Sequence, residues 1–197
     1  MVLFTGYHSV YVKKLSDLGN DAKRQFNSVT FSQNLWTRDM PKKIDSAVGI
    51  VAFIGAMNED KTAALKKYTN SLDIGNYRYA LVKTDALVSE VHEDDVSILI
   101  TAGDSTITGT LATEFIYGNE IRDASGLINI KKFVNISDLN SISAQLDKIV
   151  RSTVIPPFKK RVKKGDRLAI VAAIQINQQH LDWDNLKLIP VRIKIIE

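Results

Sequence analysis

The sequence predicts a mainly β (or α+β) fold, a single antiparallel sandwich of jelly-roll type with two to three helices. Three observations lead there. Short runs rich in β-branched and aromatic residues recur along most of the 197-residue chain. Only two segments show strong helical periodicity. The strand–helix alternation of a parallel nucleotide-binding sheet is missing.

Taken in order, SVYVK at 9–13 alternates weakly, and KKLSDLGNDAKRQF at 13–26 reads as a short third helix. FNSVTF at 26–31 alternates as a strand. AVGIVAFIG at 47–55 is a continuous apolar run bounded by glycine, which reads as a strand buried on both faces. NEDKTAALKKYTNSL reads as a helix capped by Asn58. Strands are expected at 76–84, 95–102, 105–117, 126–136, 167–176 and 186–197. In the last, Val191, Ile193 and Ile195 alternate with Arg192, Lys194 and Ile196, and Pro190 favours an edge or a bulge. SDLNSISAQLDKIVRSTV is the strongest helix. Ser137 is expected to cap it, and Leu139, Ile142, Leu146, Ile149 and Val150 share one face. Residues 1–197 form one domain in this reading, with 1–46 as an N-terminal arm packed on it.

Composition narrows the function classes. The chain is 45% hydrophobic and 24% charged, as for a folded globular protein. It has no cysteine, which excludes disulfides and thiolate metal sites. Its opening, MVLFTGYHSVYVKK, lacks the basic region of a secretory signal, and no apolar run is long enough for a membrane helix.

Four motifs invite a chemical reading. SILITAGDSTITG, a strand running into Gly-Asp-Ser, resembles the nucleophile block of the GDSL hydrolases. The resemblance implies Ser105 as nucleophile and Asn119 as an oxyanion donor. It also requires an Asp three residues before the histidine base, and Asn177 stands there before His180. Gly-Asp-Ser is equally ordinary hairpin-turn chemistry. His8, His92 and His180 are too scattered for a metal site, and VHEDDV lacks the spacing of a calcium loop. GIVAFIGAMNED has no phosphate-loop signature. Trp183, in DWD, reads as a core or interface anchor. No catalytic residue, metal or cofactor is therefore expected.

The basic run is the remaining lever. Residues 156–167 hold six cations against Asp166 alone, an excess of +5 where the whole chain carries +4. The charge is thus a local patch on a near-neutral body. Clustered cations gain affinity for polyanions by releasing counterions. The expected contact set is Lys159, Lys160, Arg161, Lys163, Lys164 and Arg167, joined by Arg192 and Lys194 if the last strand pairs nearby. Phe158 stands ready to stack a base. Pro156 and Pro157 are expected to end the preceding helix and present the run as an extended loop.

The strands from Ala47 to Glu197 resemble jelly-roll coat proteins of RNA viruses in size and density. VGIVAFIG followed by AMNEDKTAAL, with the late pair GDRLAIVAAIQIN and WDNLKLIPVRI, is similar to the core of rhabdovirus-type matrix proteins. The resemblance implies a non-enzymatic structural protein of the virion and host cytoplasm. It would form homo-oligomers, contact RNA or nucleocapsid or an anionic membrane surface, and take no small-molecule substrate. The alternative is a movement-type viral protein that binds nucleic acid without assembling.

Overall fold

The computed structural model describes residues 26–72, 75–133 and 135–196. The expected elements at 9–13 and 13–26, and most of the proposed arm, lie outside them. Six strands form one mixed sheet: β1 (Val48–Gly49), β2 (Tyr77–Val91), β3 (Asp95–Ala102), β4 (Ser105–Ala112), β5 (Arg167–Asn177) and β6 (Leu186–Ile196). Their order is β1-β2-β3-β4-β6-β5, and β5 pairs back onto β2. Five strands therefore close into a ring, with β1 attached alongside β2. The β4–β6 and β1–β2 pairs are parallel, and the others are antiparallel.

The mainly β reading with added helices holds. In place of two facing sheets there is one curved sheet, because β2 serves two neighbours. Tyr77 to Leu87 pair with β5, and Leu87 to Val91 with β3. A register shift between Val88 and Glu90 bends the strand between them. A second shift, opposite Val171 and Ala172, falls beside Pro190 of β6, the bulge expected from the proline.

Seven α-helical segments are described: α1 (Ser28–Asn34), α2 (Met40–Asp45), α3 (Ile50–Glu59), α4 (Lys61–Tyr68), α5 (Glu120–Ser125), α6 (Ile136–Ile149) and α7 (Ile155–Lys159). Three expected strands give way to helix or to turn, and each has a local reason. At 26–31, Asn27 caps α1 by accepting from Thr30 N at 3.0 Å. At 47–55, only Val48 and Gly49 are strand; Ile50, Phe53 and Met57 then recur at helical spacing and are buried, while Val51 is exposed. An unbroken apolar run fits either period, and packing chose the helix. At 126–136, Asn129 caps a 3₁₀ turn over Ile130–Lys132, and Asn135 caps α6 by accepting from Asp138 N at 2.9 Å. Asn135 takes the role expected of Ser137. Asp60, rather than Asn58, caps α4.

Strand alternation divides the core in two. Inward residues Val82, Val96, Ile98, Leu111, Leu168, Ile170 and Leu188 fill the ring, and Ile50, Phe53 and Met57 of α3 join them. Outward residues Leu81, Ala173 and Ile189 pack instead under α1, α2, α5 and α6, against Leu35, Ile44, Ile142 and Leu146. Of the face expected for α6, Leu139, Ile142, Leu146 and Val150 are buried and Ile149 is half-buried. Trp183 is the anchor expected of it, edge-on to Phe53 at 5.9 Å.

Phe53 is fully buried and also meets Tyr68 edge-on at 6.1 Å. Phe53→Ala is expected to cost about 3–5 kcal/mol, read as a lower midpoint in urea unfolding. Gly109 faces inward, where an added Cβ would lie 2.9 Å from Leu188 Cδ1 and 3.3 Å from the Leu186 carbonyl. Gly109→Ala is expected to destabilise by about 1–3 kcal/mol through overpacking, measured the same way.

Candidate functional site

The helices cover only part of the outer surface of β2, β5 and β6. Beyond them three cross-strand rows continue: Lys83–Val171–Arg192, Asp85–Ala169–Lys194 and Leu87–Arg167–Ile196. Residues opposite one another in a sheet share a face, so four cations from three strands stand on one side with Asp85 among them. Two adjoining hollows open here and share Lys83, Thr84 and Asp85. The larger, of about 760 Å³, lies between Arg167, the first turn of α3 (Ile50 to Ala52) and the β3–β4 hairpin residues Leu99, Thr101 and Thr106. The smaller, of about 490 Å³, reaches Arg192 and Lys194. Arg192 Nη1 is held by Asp45 at 2.7 Å. Lys83, Arg167 and Lys194 have no ion-pair partner among the described residues. Gly49 leads into α3 without a side-chain cap, so the amides of its first turn add positive potential beside Lys83.

The expected basic set divides. Arg167, Arg192 and Lys194 join the groove. Lys159 is spent structurally: its Nζ donates to the Glu93 carbonyl at 2.8 Å and lies 3.7 Å from Glu114, tying α7 to the β2–β3 turn. Lys160, Arg161, Lys163 and Lys164 are exposed on the turn between α7 and β5. That turn is fixed to β2 just past Leu87, since Gly165 N donates to the Val88 carbonyl and Val88 N to the Asp166 carbonyl, each at 2.9 Å. Two expectations fail. Phe158 is buried in the ring's core and cannot stack a base. Pro156 and Pro157 occupy the first turn of α7, where a missing N–H costs little, rather than starting an extended loop. Lys83 was overlooked, although its place in YALVK, two residues beyond Leu81, marks it as outward.

His8 lies outside the described residues, and among the described residues the other motifs do not bring the expected nucleophile and its base together. Ser105 begins β4 after a two-residue turn, with Gly103 at φ +63°, as hairpin chemistry requires. None of its hydrogen bonds involves His180. His92 Nε2 lies 3.2 Å from Ser97 Oγ and 3.8 Å from Glu90. Both partners use the same ring nitrogen, whereas a relay needs the serine and the acid on opposite nitrogens. No cluster of metal-ligating side chains occurs among the described residues.

A buried polar cluster lies under α5 and α6, away from the groove. Arg122 and Asp123 pair at 2.7 Å with both side chains almost wholly buried. Ser143 donates to Asn119 at 3.2 Å. Burial pushes the Asp147 carboxyl up to about 7, and Glu120 adds to the shift. Arg151, Arg122 and the Gly118 N–H oppose it. The native state therefore binds a proton that the unfolded chain has released. Its stabilising effect is full in acid and is lost as pH rises from the unfolded carboxylate range through about 7. Unfolding stability should fall across that window, and Asp147→Asn should flatten the profile in denaturation titrations at stepped pH.

A five-stranded ring with its strands in the order 1-2-3-5-4, and helices between the third and fourth, defines the OB-fold. The chain is similar to an OB-fold protein from Thermotoga maritima whose crystal structure is known. The TM-score is 0.75 at 20% identity, over 87% of this chain and 99% of that one. The model of a family described as predicted periplasmic lipoprotein (DUF2291) matches residues 1–194, and the chain belongs to that family. No curated protein matches it. These findings overturn the viral reading. Coat, matrix and movement roles, and a place in the virion or host cytoplasm, give way to a family assigned to the bacterial periplasm. Strand density and a basic run are shared by many folds and carried no diagnostic residue. The 197 residues include no cysteine, so lipid attached through that residue would need a site outside them.

Proposed function

We propose that the chain is a non-enzymatic binding module of the bacterial envelope that holds an anionic ligand in the groove along β2, β5 and β6. The observation that carries this reading is the convergence of Lys83, Arg167, Arg192 and Lys194 on one open, concave face, with Asp85 among them and Asp45 paired to Arg192. Phosphate and carboxylate oxygens accept from such donors more strongly than neutral groups do. The first turn of α3 supplies further amides. Val51, Leu87 and Leu99 give the larger hollow an apolar lining, so the ligand class is an anion with an apolar portion. Leu99, Thr101 and Thr106 belong to the second and third strands of the ring, a surface that OB-folds use for ligands. The missing nucleophile–base geometry among the described residues favours binding over catalysis.

Titration with glycerol 3-phosphate and pyrophosphate, followed by amide NMR shifts, tests this. Shifts should centre on Lys83, Arg167 and the start of α3. Affinity should weaken as salt rises. Lys83→Glu combined with Arg167→Glu should weaken it at least tenfold, an effect of about 1.4 kcal/mol. Shifts confined to residues 160–164, or none at all, would overturn the assignment.

A further inference from the structure

A second concavity lies elsewhere, between α1 and α6, and its chemistry is different. It measures about 670 Å³. Both of its walls leave α-helical geometry where they meet it. α1 runs into a π-helical turn over Leu35–Asp39, and α6 into another over Val150–Val154. Each turn leads into proline, Pro41 in α2 and Pro156 in α7, which interrupts regular α-helical bonding, and π turns are also frequent at functional sites. Here two of them flank one cleft, delivering Trp36 and Thr37 from one side and Ser152 and Thr153 from the other.

The lining is neutral apart from Lys148 and is rich in carboxamides. Gln33, Asn34 and Gln145 face the cleft. Among the described residues their side-chain amides have no hydrogen-bond partner in the protein. Each can donate and accept at once. Thr37, Ser152 and Thr153 donate back to carbonyls of their own helices at 2.8, 3.2 and 2.7 Å. Their lone pairs remain as acceptors. Trp36 is half-buried, packed on the core at one side and lining the cleft at the other.

We infer that this cleft binds a neutral saccharide chain. A sugar hydroxyl donates and accepts together, as carboxamides do. The C–H face of a pyranose ring is apolar and packs on an indole, which offers a large rigid surface at little entropic cost. A polyanion has only Lys148 to meet here, and a polycation finds no acid in the lining. The site is independent of the basic groove, shares no lining residue with it, and does not rest on the function proposed for it.

The test uses the full chain and a neutral probe, the tetramer of N-acetylglucosamine. Trp36 and Trp183 are the two tryptophans, so Trp183→Phe leaves Trp36 as the sole indole emitter. A saturable change in its fluorescence, insensitive to salt, is expected. In the unmodified chain the probe should shift amides within 29–37 and 145–153. Trp36→Ala and Gln145→Ala should each weaken binding at least fivefold, with the fold of each variant checked by its amide spectrum. No saturable response up to about 10 mM probe, weaker than the millimolar end of the affinity scale, would overturn the inference. So would shifts that fall only around Lys83 and Arg167, and the NMR readout decides the matter even if Trp183→Phe fails to fold.

Discussion

The structure depends on one strand serving two partners. β2 has 15 residues, and it bonds along its first part to β5 and along its last to β3. Without the shift between Val88 and Glu90 it would continue straight, and the ring would open into a sheet with two edges. Closure gives every strand of the ring a neighbour on each side, though β4 and β6 pair only where Gly109 to Leu111 meet Leu186 to Leu188.

Closure also fixes what each residue can do. Alternation sends Val82, Ile170 and Ile193 inward and Lys83, Val171 and Arg192 outward. The helices then cover the outward rows around Leu81, Ala173 and Ile189, and stop short of Lys83, Asp85 and Lys194. The groove is the part of the barrel wall that the helical layer leaves bare. Its cations stay in water, where three of the four need no acid partner. Beneath the covered wall, Arg122 and Asp123 have no such freedom. Their pairing at 2.7 Å offsets the desolvation that an unmatched buried charge would incur.

Much of this was legible in local pattern. The strands at 95–102 and 167–176, the bulge at Pro190 and the apolar face of α6 follow from period and proline chemistry. So does the two-residue turn before Ser105. At 26–31 and 126–136 the caps supplied by Asn27, Asn129 and Asn135 outweigh the β-propensity of the residues around them. The error at 47–55 came from an apolar run that satisfies both periods. Ring closure was beyond local reading, since nothing in Tyr77 to Leu87 names β5 as its partner. The groove was half legible for the same reason. Arg167, Arg192 and Lys194 were picked out by charge, but Lys83 joins them only because β2 pairs with β5 at Val171. Conversely, Lys159, the first cation of the dense run at 159–164, lies in α7 and reaches the Glu93 carbonyl and the Glu114 carboxylate.

The two concavities differ in a way that follows from what builds them. A sheet presents one row of side chains every second residue, so cations spaced along three strands form a broad field suited to charge and indifferent to fine shape. A cleft between two helices is narrower and presents side chains from each turn, which suits directional hydrogen bonds. The π turns of α1 and α6 widen the helices where Trp36 and Thr153 project. Each of these turns also leads into proline, Pro41 in α2 and Pro156 in α7, whose missing N–H and ring interrupt regular α-helical bonding. Proline therefore accounts for where the two helices loosen, and the cleft takes its character from the side chains those turns set between the walls, Trp36 and Thr37 on one side and Ser152 and Thr153 on the other.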